Sequence, residues 1–88
     1  MLYGPYKNGD LVQLMTATGM AGGGILFGIV HQSGTKTFKV LWESDHVTRY
    51  SQDYYLDRAW FGRGMEQFEI EITDKLTKSL EKRNGQSA

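Results

Sequence analysis

Ile25-Leu-Phe-Gly-Ile-Val-His-Gln-Ser-Gly-Thr-Lys-Thr-Phe-Lys-Val-Leu-Trp-Glu43 is the stretch around which the rest of the chain can be placed. Two apolar runs rich in β-branched and aromatic residues, Ile25 to His31 and Thr37 to Trp42, flank a polar turn at Gln32 to Lys36, which is the pattern of a β-hairpin. Gly34 can take a positive φ in that turn without steric cost. In the first run Leu26, Gly28 and Val30 alternate with Ile25, Phe27, Ile29 and His31, so both faces are largely apolar. Such a strand is expected to be covered on both sides or strongly bent, with Gly28 at a bend or a close backbone approach. In the second run Phe38, Val40 and Trp42 share one face while Lys39, Leu41 and Glu43 share the other.

Upstream of the hairpin, residues 1–8 carry Gly4, Pro5 and Asn8 and read as an extended lead-in from which Tyr3 and Tyr6 can dock on the body. Leu11 to Thr16 reads as a strand with Val12 and Leu14 on one face and Leu11, Gln13 and Met15 on the other. The glycine-rich segment from Ala17 to Gly24 is a loop by composition. A phosphate loop would need a Gly-Lys-Ser/Thr ending that opens a helix, or a βαβ setting. Here a strand follows and no lysine is present.

Downstream, Ser44-Asp45-His46 turns into a short strand, Val47 to Ser51, and Ser51 to Tyr55 reads as a single helical turn. Leu56 to Phe61 suits a closing fifth strand. Phe68-Glu-Ile-Glu-Ile72 alternates as a strand does, yet Met65, Phe68, Ile72, Leu76 and Leu80 also share one helical stripe. Ile70 would lie exposed opposite that stripe, which favours a strand through Ile72 and a helix from Thr73 or Asp74 to about Arg83, stopped by Asn84-Gly85. The resulting plan is a lead-in at 1–8, a mainly β body at 9–72, a helix at 73–84 and a disordered tail at 85–88.

At 88 residues with no cysteine, the chain is one domain held by packing, with neither a disulfide framework nor a thiolate metal site. Ten basic residues balance ten acidic ones, which removes the global electrostatic signature of a dedicated nucleic-acid binder and weakens colloidal repulsion between copies. Nothing resembles a signal peptide or a membrane span, and the expected setting is the cytoplasm. Glu43, Asp45, His46 and His31 are a weak metal set, Ser33, Ser44 and Ser51 lack a base at a telling spacing, and no cofactor is implied.

The succession Gly9-Asp-Leu-Val12, a glycine-rich loop, Gly28-Ile-Val30, a turn, Val40-Leu-Trp42, a turn, and Tyr50 to Leu56 resembles SH3-like small β-barrels of the Tudor and KOW type, most of all short barrel proteins of tailed phages, including those of cyanobacteria. The resemblance covers residues 9 to about 60. It implies an all-β fold, a five- to six-stranded barrel carrying an added C-terminal helix, and a non-enzymatic protein-interaction or assembly module. It also implies an aromatic surface, drawn from Trp42, Tyr50, Tyr54, Tyr55, Trp60 and Phe61 with Arg58 beside them, that can cage a cation or serve a protein partner. The plainer role for these rings is to fill a small barrel. The KOW likeness implies an alternative, nucleic-acid binding through Lys36, Lys39, Arg49, Arg58 and Arg63. Leu76 and Leu80 offer an apolar stripe for self-association into a homo-oligomer.

Overall fold

The structure is a computed structural model, and it describes residues 5–16 and 24–86. Tyr3, the glycine-rich connection at 17–23 and residues 87–88 of the expected tail lie outside the described residues. Four strands, β1 (Leu11–Thr16), β2 (Gly24–His31), β3 (Thr37–Trp42) and β4 (Val47–Ser51), form an antiparallel sheet in the order β1-β2-β3-β4, and one helix, α1 (Glu66–Gln86), follows. The fold is mostly β. The expected five or six strands reduce to these four among the described residues: where a fifth was expected, Val12 makes an isolated antiparallel bridge with Arg58. That bridge is flanked by hydrogen bonds from Gln13 N to Asp57 O and from Ala59 N to Leu11 O, each 2.9 Å.

Each face of the sheet has its own core. On one face Val12, Val30, Phe38, Val40 and Trp42 close around Tyr6 and Leu56. On the other, Phe27, Ile29 and Leu41 pack against Ile72 and Leu76 of α1, with Leu11, Ala59, Phe61 and Leu80 around them. This is why β2 reads as apolar on both sides. Gly28 sits opposite Trp42 in the ladder, and a Cβ there would fall 2.5 Å from Val40 Cγ1 and 2.7 Å from Trp42 Cε3, so the inner core closes over a position that only hydrogen can fill.

The β2–β3 turn is tied down from outside. Ser33 N donates to Asn8 Oδ1 at 2.8 Å, the Ser33 hydroxyl donates to the Tyr6 carbonyl, and Gln52 Nε2 donates to Gly34 O at 2.9 Å. With its course set by these contacts, the left-handed residue is Gln32 (φ 49°) instead of the expected Gly34, at a strain of order 1 kcal/mol. Tyr6, which the lead-in was expected to dock, is buried. Its hydroxyl donates to Leu56 O and accepts from Leu56 N, both at 2.9 Å, which pins the turn after β4 to the start of the chain.

The C-terminal quarter departs from expectation. Residues 66–86 form one helix, so Phe68 to Ile72 is not a strand and Asn84-Gly85 does not end the helix. Thr73, one of the two residues at which the helix was expected to begin, lies within it, and its hydroxyl donates to Glu69 O at 2.8 Å. Ile70 is left 55% exposed. That loss is outweighed because the helical register brings Ile72 and Leu76 together onto Phe27, Ile29 and Leu41, two side chains each worth about 1.5–3 kcal/mol on full burial. Lys75 Nζ lies 3.6 Å from Glu43 Oε2, and Arg83 Nη2 donates to Asp45 O at 2.7 Å.

Two substitutions test this plan by chemical denaturation. Leu76→Ala should cost about 2–5 kcal/mol because α1 loses its central contact with the sheet. Tyr6→Phe should cost about 1–3 kcal/mol because it leaves the buried Leu56 N–H and C=O without their partner.

Candidate functional site

The structure distributes the expected aromatic surface. Trp42 lies in the inner core, where its indole N–H donates to Thr48 Oγ1 at 3.2 Å. Tyr50 belongs to a line of rings that runs from that core to the surface: Tyr6 to Phe38 at 4.4 Å, Phe38 to Tyr50 at 5.5 Å and Tyr50 to Tyr54 at 4.8 Å between centroids. Arg58 extends the line at its other end, its guanidinium carbon 4.8 Å from the Tyr6 centroid and its Nη1 2.8 Å from Asp10 Oδ2. Tyr54 closes the line with half its surface exposed, and burial pushes the Tyr50 phenol above its ordinary pKa. Tyr55 is exposed, and its hydroxyl donates to Asp57.

Trp60 and Phe61 belong elsewhere. The Trp60 backbone N–H donates to Gln13 Oε1 at 3.1 Å, while the residue is 73% exposed with its ring near Gly62. Phe61 turns onto the helix side, where it stacks on Phe27 at 5.2 Å, with the Phe68 ring edge-on to both at 5.8 and 6.0 Å. The six aromatics therefore do not converge on one cage. Leu76 is buried under α1 and Leu80 packs beside it, so the stripe expected to serve self-association is occupied within the chain.

Two surfaces that sequence alone does not assemble take their place. The first is apolar. Met15 and Ile25 are direct partners across β1–β2, 74% and 47% exposed, and they lie one step along the sheet face from the Gln13–Phe27 pair. Phe68, 40% exposed, extends this surface over Phe27 and Phe61.

The second surface is basic. His31 faces Lys39 across β2–β3, and Lys39 faces Arg49 across β3–β4, so three basic side chains form one row over three strands on the face that α1 partly covers. The next row out pairs Thr37 with Ser51, and the Lys36 carbonyl accepts from Gln52 N at 2.8 Å, which places Lys36 beside the end of β4. Of the basic residues singled out in the sequence, Lys39 and Arg49 are thus brought together, whereas Arg58 is drawn to Asp10 and Tyr6. The missing signal was register: the Trp42–Val47 turn fixes Lys39 opposite Arg49, and a one-residue slip would put them on opposite faces.

The weak metal set does not converge. Glu43 accepts from Phe27 N and faces Lys75, Asp45 holds Arg83, and His46 lies by Ser44. Among the described residues no three His, Asp or Glu side chains are grouped to hold a metal ion, and no helix is long and apolar enough to cross a membrane. Comparison with known proteins finds no matching family model, curated protein or solved structure.

The His31 imidazole is held below its ordinary pKa, first by burial and then by the charges of Lys39 and Arg83, and its Nε2 is buried without a hydrogen-bond partner. A base whose folded pKa is lowered binds fewer protons folded than unfolded, so stability is complete above the unfolded value of 6.5 and declines as pH falls below it. Melting temperature should therefore drop from pH 7 toward pH 5, and His31→Gln should flatten that drop.

Proposed function

We propose that the chain is a small SH3-like barrel that acts as a non-enzymatic interaction module, docking a protein partner through the apolar surface of Met15, Ile25 and Phe68. The return of residues 57–59 onto β1 after a single turn supports the barrel reading, since it begins to close the sheet on itself in the strand order of that architecture. The observation that carries the interaction reading is the exposed Met15–Ile25 pair, continuous with the Phe27, Phe61 and Phe68 rings. A domain of this size gains from covering such a surface, and it offers no charged residue on the Met15–Ile25 row to keep an apolar partner away.

The partner tested first is a second copy of the chain. A twofold axis lets one apolar patch meet itself, and a formal net charge of zero leaves little repulsion to overcome. Sedimentation velocity over a concentration series should show reversible dimerisation by high micromolar concentration. Met15→Lys with Ile25→Lys should weaken it by about a hundredfold or more, the effect of losing roughly 1.5 kcal/mol for each of the two side chains, without lowering the melting temperature. A strict monomer at those concentrations, or a dimer indifferent to the double change, would count against the reading.

A further inference from the structure

We propose that the outer edge of β4 is a second interaction surface, which takes an extended acidic peptide as an added strand. The parity of the ladder decides where each backbone group points. Trp42 N donates to His46 O and Gln52 N donates to Lys36 O, so between these ends the pairs that exchange hydrogen bonds are Val40–Thr48 and Phe38–Tyr50. Val47, Arg49 and Ser51 therefore turn their N–H and C=O groups away from the sheet. Of these groups only the Ser51 carbonyl has a partner among the described residues, accepting from Tyr54 N at 2.9 Å. The opposite edge of the sheet is filled at Leu11 and Gln13, which bond to Ala59 and Asp57. β4 is left as an open row of alternating donors and acceptors, which is what strand addition requires.

Charge decides what that edge accepts. Arg49 is exposed and stands opposite Lys39 in a pair that exchanges no hydrogen bonds, the kind in which side chains approach most closely. Neither has an ion-pair partner among the described residues, whereas Lys75 takes Glu43 and Arg58 takes Asp10. Like charges facing each other across strands destabilise a sheet and opposite charges stabilise it. A second copy adding β4 to β4 about Arg49 would set arginine against arginine and is repelled. An added strand with a carboxylate aligned with Arg49 instead relieves the Lys39–Arg49 repulsion. The residues flanking that carboxylate fall on the other face, beside Thr48 and the half-buried Tyr50, where β-branched side chains pack well. The fitting partner thus alternates acidic and β-branched residues, and the edge rejects its own copy by the same charge that attracts this one.

Amide hydrogen exchange read by NMR provides the test, with a blocked peptide of about seven alternating valine and glutamate residues as the probe, long enough to cover β4. In the chain alone the Val47, Arg49 and Ser51 amides should exchange much faster than those of Thr48 and Tyr50. The peptide should slow these edge amides and shift their resonances. The same peptide N-methylated at its glutamates keeps its charge but loses the N–H groups that face the edge, and it should not bind. Arg49→Glu should weaken binding by about tenfold or more, since an opposite-charge pair becomes a like one, and should confer binding to the valine–lysine counterpart. That variant should melt no lower than the parent, because glutamate then faces Lys39. Protected edge amides in the chain alone, or no binding at millimolar peptide, would overturn the proposal. Equal binding of the N-methylated peptide, or indifference to Arg49→Glu, would do the same. Because Met15 and Ile25 stay intact throughout, failure here and failure of dimerisation are separate results.

Discussion

Burial of both faces of the β2–β3 pair is the constraint on which the molecule depends. Val30, Phe38, Val40 and Trp42 require a cover on one side, and Phe27, Ile29 and Leu41 require one on the other. An antiparallel sheet normally leaves one face to water, with polar residues alternating outward. This sheet does not, and the remaining chain is disposed to supply the two covers: the lead-in with Tyr6 and the turn with Leu56 inside, and α1 outside. Gly28 is the point at which the inner cover comes closest, since Val40 and Trp42 occupy the volume that any side chain would take.

Those covers explain where the exposed surface lies. α1 packs on the Ile29–Leu41 row, and its Arg83 acts on His31 in the His31–Lys39–Arg49 row beside it, while the Met15–Ile25 pair at the other end of the sheet is left exposed. The helix carries its acidic residues Glu66 and Glu69 in the first turn and Arg83 in the last, an arrangement that suits its dipole. A chain with no net charge therefore presents distinct regions, an apolar one near the aromatic trio and a basic one on β3 and β4.

The same logic accounts for which parts of the site were legible beforehand. That Trp42 fills the core follows from strand alternation, and Arg49, Lys39 and Lys36 can be picked out by type alone. That Lys39 and Arg49 are direct partners depends on a turn length that shifts every pairing when it changes by one residue. The aromatics between Tyr50 and Phe61 are close in sequence but separate in space, because the chain changes course after β4 and again at Trp60, sending Tyr54 to one side and Phe61 under α1. Proximity along the chain was a poor guide to convergence.

The sequence by itself determined the hairpin at 25–43, the strands on either side of it, the single turn after β4 and the two-faced character of β2, since each rests on local alternation and turn chemistry. It also determined that the chain holds together without disulfides. Only the tertiary structure decided the state of residues 66–72, where strand alternation and a helical stripe coexist in the same letters. Ile70, judged alone, argues for a strand. The helix prevails because a docking surface of Phe27, Ile29 and Leu41 already exists, and only helical geometry sets Ile72 and Leu76 on it together.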